Sequence, residues 1–177
     1  KIENKAFAQS VSLKSLEIGD GMEVIGEKSF YKCENLEEIK FGANVKKIEV
    51  RAFYGCKNLK AIVLPDSVKE VADYAFYKCE NVAELKLSKG LEKIGNYAFT
   101  ECKKIESLYI PDSVKSIGKQ AFRNIKSLKS VTINDTLETM VNHAFYGCTN
   151  ATFYVENASK PTGWEARWNS SYRPIVW

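Results

Sequence analysis

The stretch AFYGCKNLKAIVLPDSVKEV, residues 52–71, decides the fold because the chain writes it again. Residues 98–117 read AFTECKKIESLYIPDSVKSI, and a looser copy, AFYKCENVAELKLSKGLEKI, lies between them at residues 75–94. Working outward, the phenylalanine of each copy falls at Phe7, Phe30, Phe53, Phe76, Phe99, Phe122 and Phe145, always 23 residues apart. The residue before it is small: Ala6, Ser29, Ala52, Ala75, Ala98, Ala121 and Ala144. Three residues after it stand Cys33, Cys56, Cys79, Cys102 and Cys148, with Ser10 and Ile125 as exceptions. Other apolar columns keep the same period, among them Leu36, Leu59, Val82, Ile105 and Leu128. A fixed period of this length is the signature of a repeat architecture.

Within each copy, the pairs Leu16/Ile18, Ile39/Phe41, Ile62/Leu64, Leu85/Leu87, Leu108/Ile110 and Val131/Ile133 alternate with outward neighbours. That period of two predicts a short half-buried strand. Pro65 and Pro111 end two of these strands, since proline cannot donate to a ladder. Gly26, Gly95 and Gly118 follow the last apolar residue of their copies, where a permissive backbone is expected at a tight bend. The segment around each Ala-Phe pair is too short for a full helix and is expected to form a single helical turn. One 23-residue unit cannot bury its own apolar side. Stacking the copies at about 4.8 Å builds a parallel sheet with a continuous core behind it. The expected fold is therefore a repeat solenoid of seven coils over residues 1–155.

The run L-x-x-I-x-L-P-x-S-V-x-x-I-x-x-x-A-F-x-x-C, as at residues 59–79 and at 105–125 (Ile125 in place of the last Cys), resembles the BspA-like, or Treponema-type, leucine-rich repeat. The resemblance extends over residues 2–155. It implies a curved, right-handed, non-enzymatic leucine-rich-repeat solenoid from a secreted or surface-anchored protein of bacteria or parasitic protists. It further implies adhesion to host matrix proteins or to another cell, and it carries no shared ligand motif.

After Ala151 the spacing slips by one residue at Phe153 and Val155, and the tail holds Trp164, Trp168 and Trp177. The last coil of a solenoid exposes an apolar cross-section, so residues 156–177 are expected to form a cap. The rival reading makes Trp164 or Trp168 a stacking platform for sugars or peptides. The opening KIENKAF carries neither an initiator Met nor an apolar leader, and the array is expected to be part of a longer one.

Hydrophobic residues at 45% and charged residues at 27% are ordinary for a globular chain. No apolar run approaches the roughly 18 residues of a membrane span. A net charge of +4 with interspersed lysines and glutamates argues against a nucleic-acid stripe. One His and no Cys-x-x-Cys leave no ordinary zinc spacing. Cysteines stacked on adjacent coils would hold parallel Cβ atoms about 4.8 Å apart, beyond the roughly 3.5–4.5 Å of a disulfide, so free core thiols are expected. His143 and Cys148 belong to different columns, one variable and one core, and form no nucleophile pair. No cofactor, metal or catalytic constellation is expected.

Tyr31, Tyr54, Tyr77 and Tyr146, joined by Tyr74 and Tyr97, are expected to form a partial aromatic ladder along one flank. The columns of Glu23, Lys46, Lys69, Glu92, Lys115 and Glu138 read as a solvated charged face. Sequons stand at Asn134, Asn150, Asn157 and Asn169. The outward strand positions are the better site candidates. Ala61, Val63, Ser107 and Tyr109 give a shallow uncharged patch flanked by Lys40 and Lys86, with Thr132 beyond. Solenoids use such concave faces for partners, and an aromatic anchor in a charged rim suits a hot spot. The function expected is a monomeric, extracellular module for protein interaction or adhesion. The alternatives are a spacer or targeting domain of a larger surface protein or enzyme, and carbohydrate binding through the terminal tryptophans.

Overall fold

The computed structural model describes residues 1–157 and 159–177, and among these every regular element is a strand. In chain order they are β1 (Ser15–Glu17), β2 (Val24–Ile25), β3 (Glu38–Lys40), β4 (Lys47–Ile48), β5 (Ala61–Val63), β6 (Glu70–Val71) and β7 (Glu84–Lys86). They continue as β8 (Lys93–Ile94), β9 (Ser107–Ile110), β10 (Ser116–Ile117), β11 (Ser130–Ile133), β12 (Thr139–Met140), β13 (Thr152–Val155) and β14 (Ile175–Val176). Odd- and even-numbered strands up to β13 run along two different sides of a parallel solenoid. The even strands form one six-stranded sheet in the order β12-β10-β8-β6-β4-β2. The odd strands pair β1 with β3 and β5 with β7, and join β9, β11, β13 and β14 in a four-stranded sheet. Register follows the repeat: Leu16 pairs with Ile39, Ile62 with Leu85 and Ile48 with Val71.

The third side of each coil departs from expectation. Instead of a helical turn, the segment around each Ala-Phe pair is a staircase of tight turns. In the second coil the N–H groups of Ser29, Tyr31 and Cys33 donate to carbonyls three residues back, those of Gly26, Lys28 and Phe30. The alternate N–H groups, those of Lys28, Phe30 and Lys32, cross to Val50, Ala52 and Tyr54 of the next coil at 2.7–3.0 Å. A helix would spend all these donors inside its own coil; the staircase sends every second one across, making a further inter-coil ladder. Alternation demands a left-handed residue on each side of the phenylalanine. Lys28 and Lys32, Tyr74 and Lys78, Gln120 and Asn124 all have φ between 53° and 59°. Left-handed conformations at lysine and tyrosine are uncommon, and the ladder holds them here.

The bend glycines also act differently from expectation, by close approach rather than by unusual φ. A Cβ on Gly95 would lie 2.6 Å from the backbone carbon of Ala72 and the nitrogen of Asp73.

Inside, Phe30 through Phe145 stack ring on ring, with centroids 5.1–5.4 Å apart and planes within 9°. The small residue before each phenylalanine is sandwiched between neighbouring coils: Ala52, Ala75 and Ala98 are fully buried. Ser29 occupies the same column, and its buried hydroxyl has no partner among the described residues. All five cysteines are buried and free. Each thiol donates to the carbonyl of a phenylalanine in the preceding coil, as Cys56 Sγ does to Phe30 O at 3.3 Å and Cys148 Sγ to Phe122 O at 3.0 Å.

The tail comes round as a partial eighth coil. Trp164 bridges to Met140, and the Glu165 N–H donates to Met140 O at 2.9 Å. The Trp168 N–H bonds Glu165 O at 3.2 Å, repeating the turn that Ala144 makes with Val141 at 3.3 Å. Trp168 is buried there, edge to face on Phe153 and Trp164, and its bulk covers the core.

Candidate functional site

The alternation of each odd strand sends one set of side chains into the core and the other outward, so the outward face can be read column by column. Lys40 on β3 reaches back to Glu17 on β1 at 2.7 Å, and that hydrogen bond holds the ammonium above its ordinary pKa. Ala61 and Val63 on β5 stand opposite Glu84 and Lys86 on β7. Ser107 and Tyr109 on β9 stand opposite Ser130 and Thr132 on β11. The sequence-derived set therefore divides in two. Tyr109, Thr132 and Ser107 come together, whereas Val63 is separated from them by the strand that carries Lys86.

What lies beyond Thr132 was hidden in the sequence. Thr132 pairs with Tyr154 on β13, and Tyr154 pairs with Val176 on β14. The outward column Tyr109–Thr132–Tyr154–Val176 is free of charge across a whole sheet, beside a second uncharged row of Ser107, Ser130 and Thr152. Tyr109 is 54% exposed, Tyr154 47% and Val176 52%. The one-residue slip at Phe153 puts Tyr154 at 22 rather than 23 residues from Thr132, so a column counted at the fixed period passes over it. Tyr109 Oη donates to Asp112 Oδ1 at 2.9 Å, which pins the ring and raises the pKa of its hydroxyl. Exposed Asp112, Asp135 and Glu156 follow the ends of β9, β11 and β13 and give that border of the patch a negative rim.

The remaining surface is organised for pairing within the chain. Lysines and glutamates 23 residues apart meet across adjacent coils, as Lys46–Glu23 at 2.8 Å, Lys57–Glu34 at 2.9 Å and Lys129–Glu106 at 2.7 Å. Being exposed, these pairs fix register more than they stabilise. The flank tyrosines do stack: Tyr31 on Tyr54 at 5.0 Å, Tyr54 on Tyr77 at 4.9 Å and Tyr74 on Tyr97 at 4.7 Å. Tyr146 stands apart from that stack, with His143 edge-on at 5.8 Å and the Arg123 guanidinium over it at 5.5 Å.

The terminal tryptophans do not offer a sugar platform at Trp164 or Trp168. Both are buried, at 1% and 2% exposure, and Trp168 packs edge to face on both Trp164 and Phe153 at 5.1 Å. The Trp164 indole N–H donates to Leu137 O at 2.9 Å, so its polar edge is satisfied too. Of the sequon asparagines, Asn134 is buried and donates to Ile110 O, while Asn150 is exposed.

The family model described as BspA type leucine-rich repeat region matches in six copies, over residues 1–115 and 92–163. Among solved structures, a leucine-rich repeat protein of T. pallidum is 29% identical with a TM-score of 0.78, the match covering 82% of this chain and 70% of that one. A leucine-rich repeat protein of Bacteroides ovatus shares the fold at 22% identity and a TM-score of 0.57, over 98% of this chain and 58% of that one. No curated protein matches the sequence. Period, coil architecture and family model agree, and this chain belongs to the BspA-type leucine-rich repeat family.

Proposed function

We propose that this chain is a non-enzymatic interaction module, part of a secreted or cell-surface protein, which adheres to matrix proteins or to the surface of another cell. The supporting observation is the uncharged, aromatic outward column Tyr109–Thr132–Tyr154–Val176 on a chain whose other faces are laddered with internally paired charges. Tyrosines exposed by about half are amphipathic contact surface of the kind found at interface hot spots. Membership of the repeat family agrees with a binding role for an extended face.

Biolayer interferometry against immobilised fibronectin, laminin and collagen tests it. At least one of these binds, and Tyr109→Ala weakens that binding about fivefold or more. Lys69→Glu, remote from the column and paired with Glu92, leaves it unchanged. No binding to any of the three, or sensitivity at Lys69 without sensitivity at Tyr109, refutes the reading.

A further inference from the structure

We infer that the β9–β11–β13–β14 face grips an uncharged glycan chain laid across the strands, one sugar ring to a coil. This rests on the preceding reading of the face and names the chemistry that the face recognises. Two aromatic arrangements on the same molecule make the argument. On the flank, Tyr31, Tyr54 and Tyr77 occupy successive coils and stack at 4.9–5.0 Å, so their ring faces are consumed by one another. On the strand face, Thr132 stands between Tyr109 and Tyr154, which are therefore two coils, roughly 10 Å, apart. Their faces are not spent on each other, and Tyr109 is held in place by Asp112.

The apolar C–H side of a pyranose packs on such a face, and the coil spacing is close to the length of one pyranose in an extended chain. Two tyrosines two coils apart would meet alternate sugars, while Thr132 and the row Ser107, Ser130 and Thr152 supply hydroxyls that both donate and accept. Protein hot spots instead favour anchors in well-packed apolar pockets. A cavity of about 480 Å³ on the strand face lies at its other end, around Ser15, Glu38, Lys40 and Ala61. The rim Asp112, Asp135 and Glu156 repels sulfated or uronic chains and presents carboxylates that accept from sugar hydroxyls. The two outward rows themselves offer no charge to pair with a cation or an anion, so the ligand they fit is neutral.

Isothermal titration with cellohexaose, mannohexaose, maltohexaose and N-acetylchitohexaose tests the inference, with heparin oligosaccharide and an octalysine peptide alongside. One neutral series binds, tightens with length up to about the four rings that the four-stranded sheet accommodates, and then levels off. Tyr109→Ala and Tyr154→Ala each weaken it about fivefold or more. Thr132→Lys, which raises a long side chain between the rings, abolishes it, and Tyr31→Ala changes nothing. These positions are on the surface, and unchanged thermal unfolding confirms that each variant folds. The inference is overturned if no neutral hexaose binds at millimolar concentration, if octalysine or heparin binds in their place, or if Tyr154→Ala has no effect. Should a matrix protein keep its Tyr109-sensitive binding after enzymatic removal of its glycans, the interaction face stands and the glycan falls. Should Tyr109→Ala affect no partner at all, the face itself falls.

Discussion

Phe76→Ala tests the solenoid where it is most fully determined. The ring is fully buried and stacked on both faces, 5.2 Å from Phe53 and 5.4 Å from Phe99. Truncating a buried phenylalanine costs about 3–5 kcal/mol in transfer and cavity terms. Each lost stack adds about 0.5–1.5 kcal/mol beyond area, which places this site near the top of the range. Val63, on the outward side of β5, is 43% exposed, and removing its two methyls costs well under about 1 kcal/mol. Phe7 is 46% exposed and stacks only on Phe30 among the described residues, so Phe7→Ala falls between them, at about 1–2 kcal/mol. Urea unfolding followed by circular dichroism, and independently by the fluorescence of the buried tryptophans, gives all three values. Coincident curves license the comparison. If Val63→Ala costs as much as Phe76→Ala, inward and outward sets are exchanged. A one-residue register error has that consequence in a strand, and the assignment of every outward residue named above would fail with it.

Two further outcomes follow from the core. Six of the seven residues preceding the repeat phenylalanines are alanine, so Ser29→Ala fits its site and removes a buried hydroxyl without a partner; it should stabilise by about 1 kcal/mol in the same urea assay, and a loss would show that Ser29 is satisfied in solution. Burial pushes the Cys148 thiol up to about 12 and raises those of the other four cysteines. Unfolded thiols ionise near about 8.5, so above that pH the folded state binds more protons. The stability gained is fully present below about pH 8.5 and is lost towards pH 12, at up to about 1.4 kcal/mol per pH unit for each thiol. Urea midpoints should fall between pH 8.5 and 10, less steeply for Cys148→Val, and a flat profile would mean that the thiols are open to solvent.

The repeat was legible because each core position is written six or seven times at one interval, so an exception such as Ile125 or Ser29 cannot mask its column. Strand direction, the phenylalanine stack and the buried thiols all follow from that. The turn staircase was not legible. Its left-handed positions are signalled by Gly55, Gly147 and Asn124, but in other coils they fall on lysine, tyrosine or arginine, where backbone bonds to the next coil override local preference. Tyr109 and Thr132 were placed on the outward face because their coils keep the period. Tyr154 was lost to a single-residue slip, and the burial of Trp164 and Trp168 depended on the tail coming round as another coil. The grouping of Val63 with Tyr109 failed on order alone, since a list of columns does not say that Lys86 stands between them.

The staircase has a consequence for how such genes change. Because alternate N–H groups leave each coil for equivalent carbonyls of the next, the upper surface of one coil is a template for the lower surface of any other. Unequal recombination that inserts or deletes a whole 23-residue copy would leave every inter-coil bond replaceable, while a slip of any other length would leave donors without acceptors. Array length is then free to drift between generations in steps of about 5 Å. The partial eighth coil is the exception. Its Trp164 and Trp168, buried together with Trp168 against Phe153, repeat no residue of the inner-coil columns, so it cannot be copied inward and growth is confined to the stretch before it.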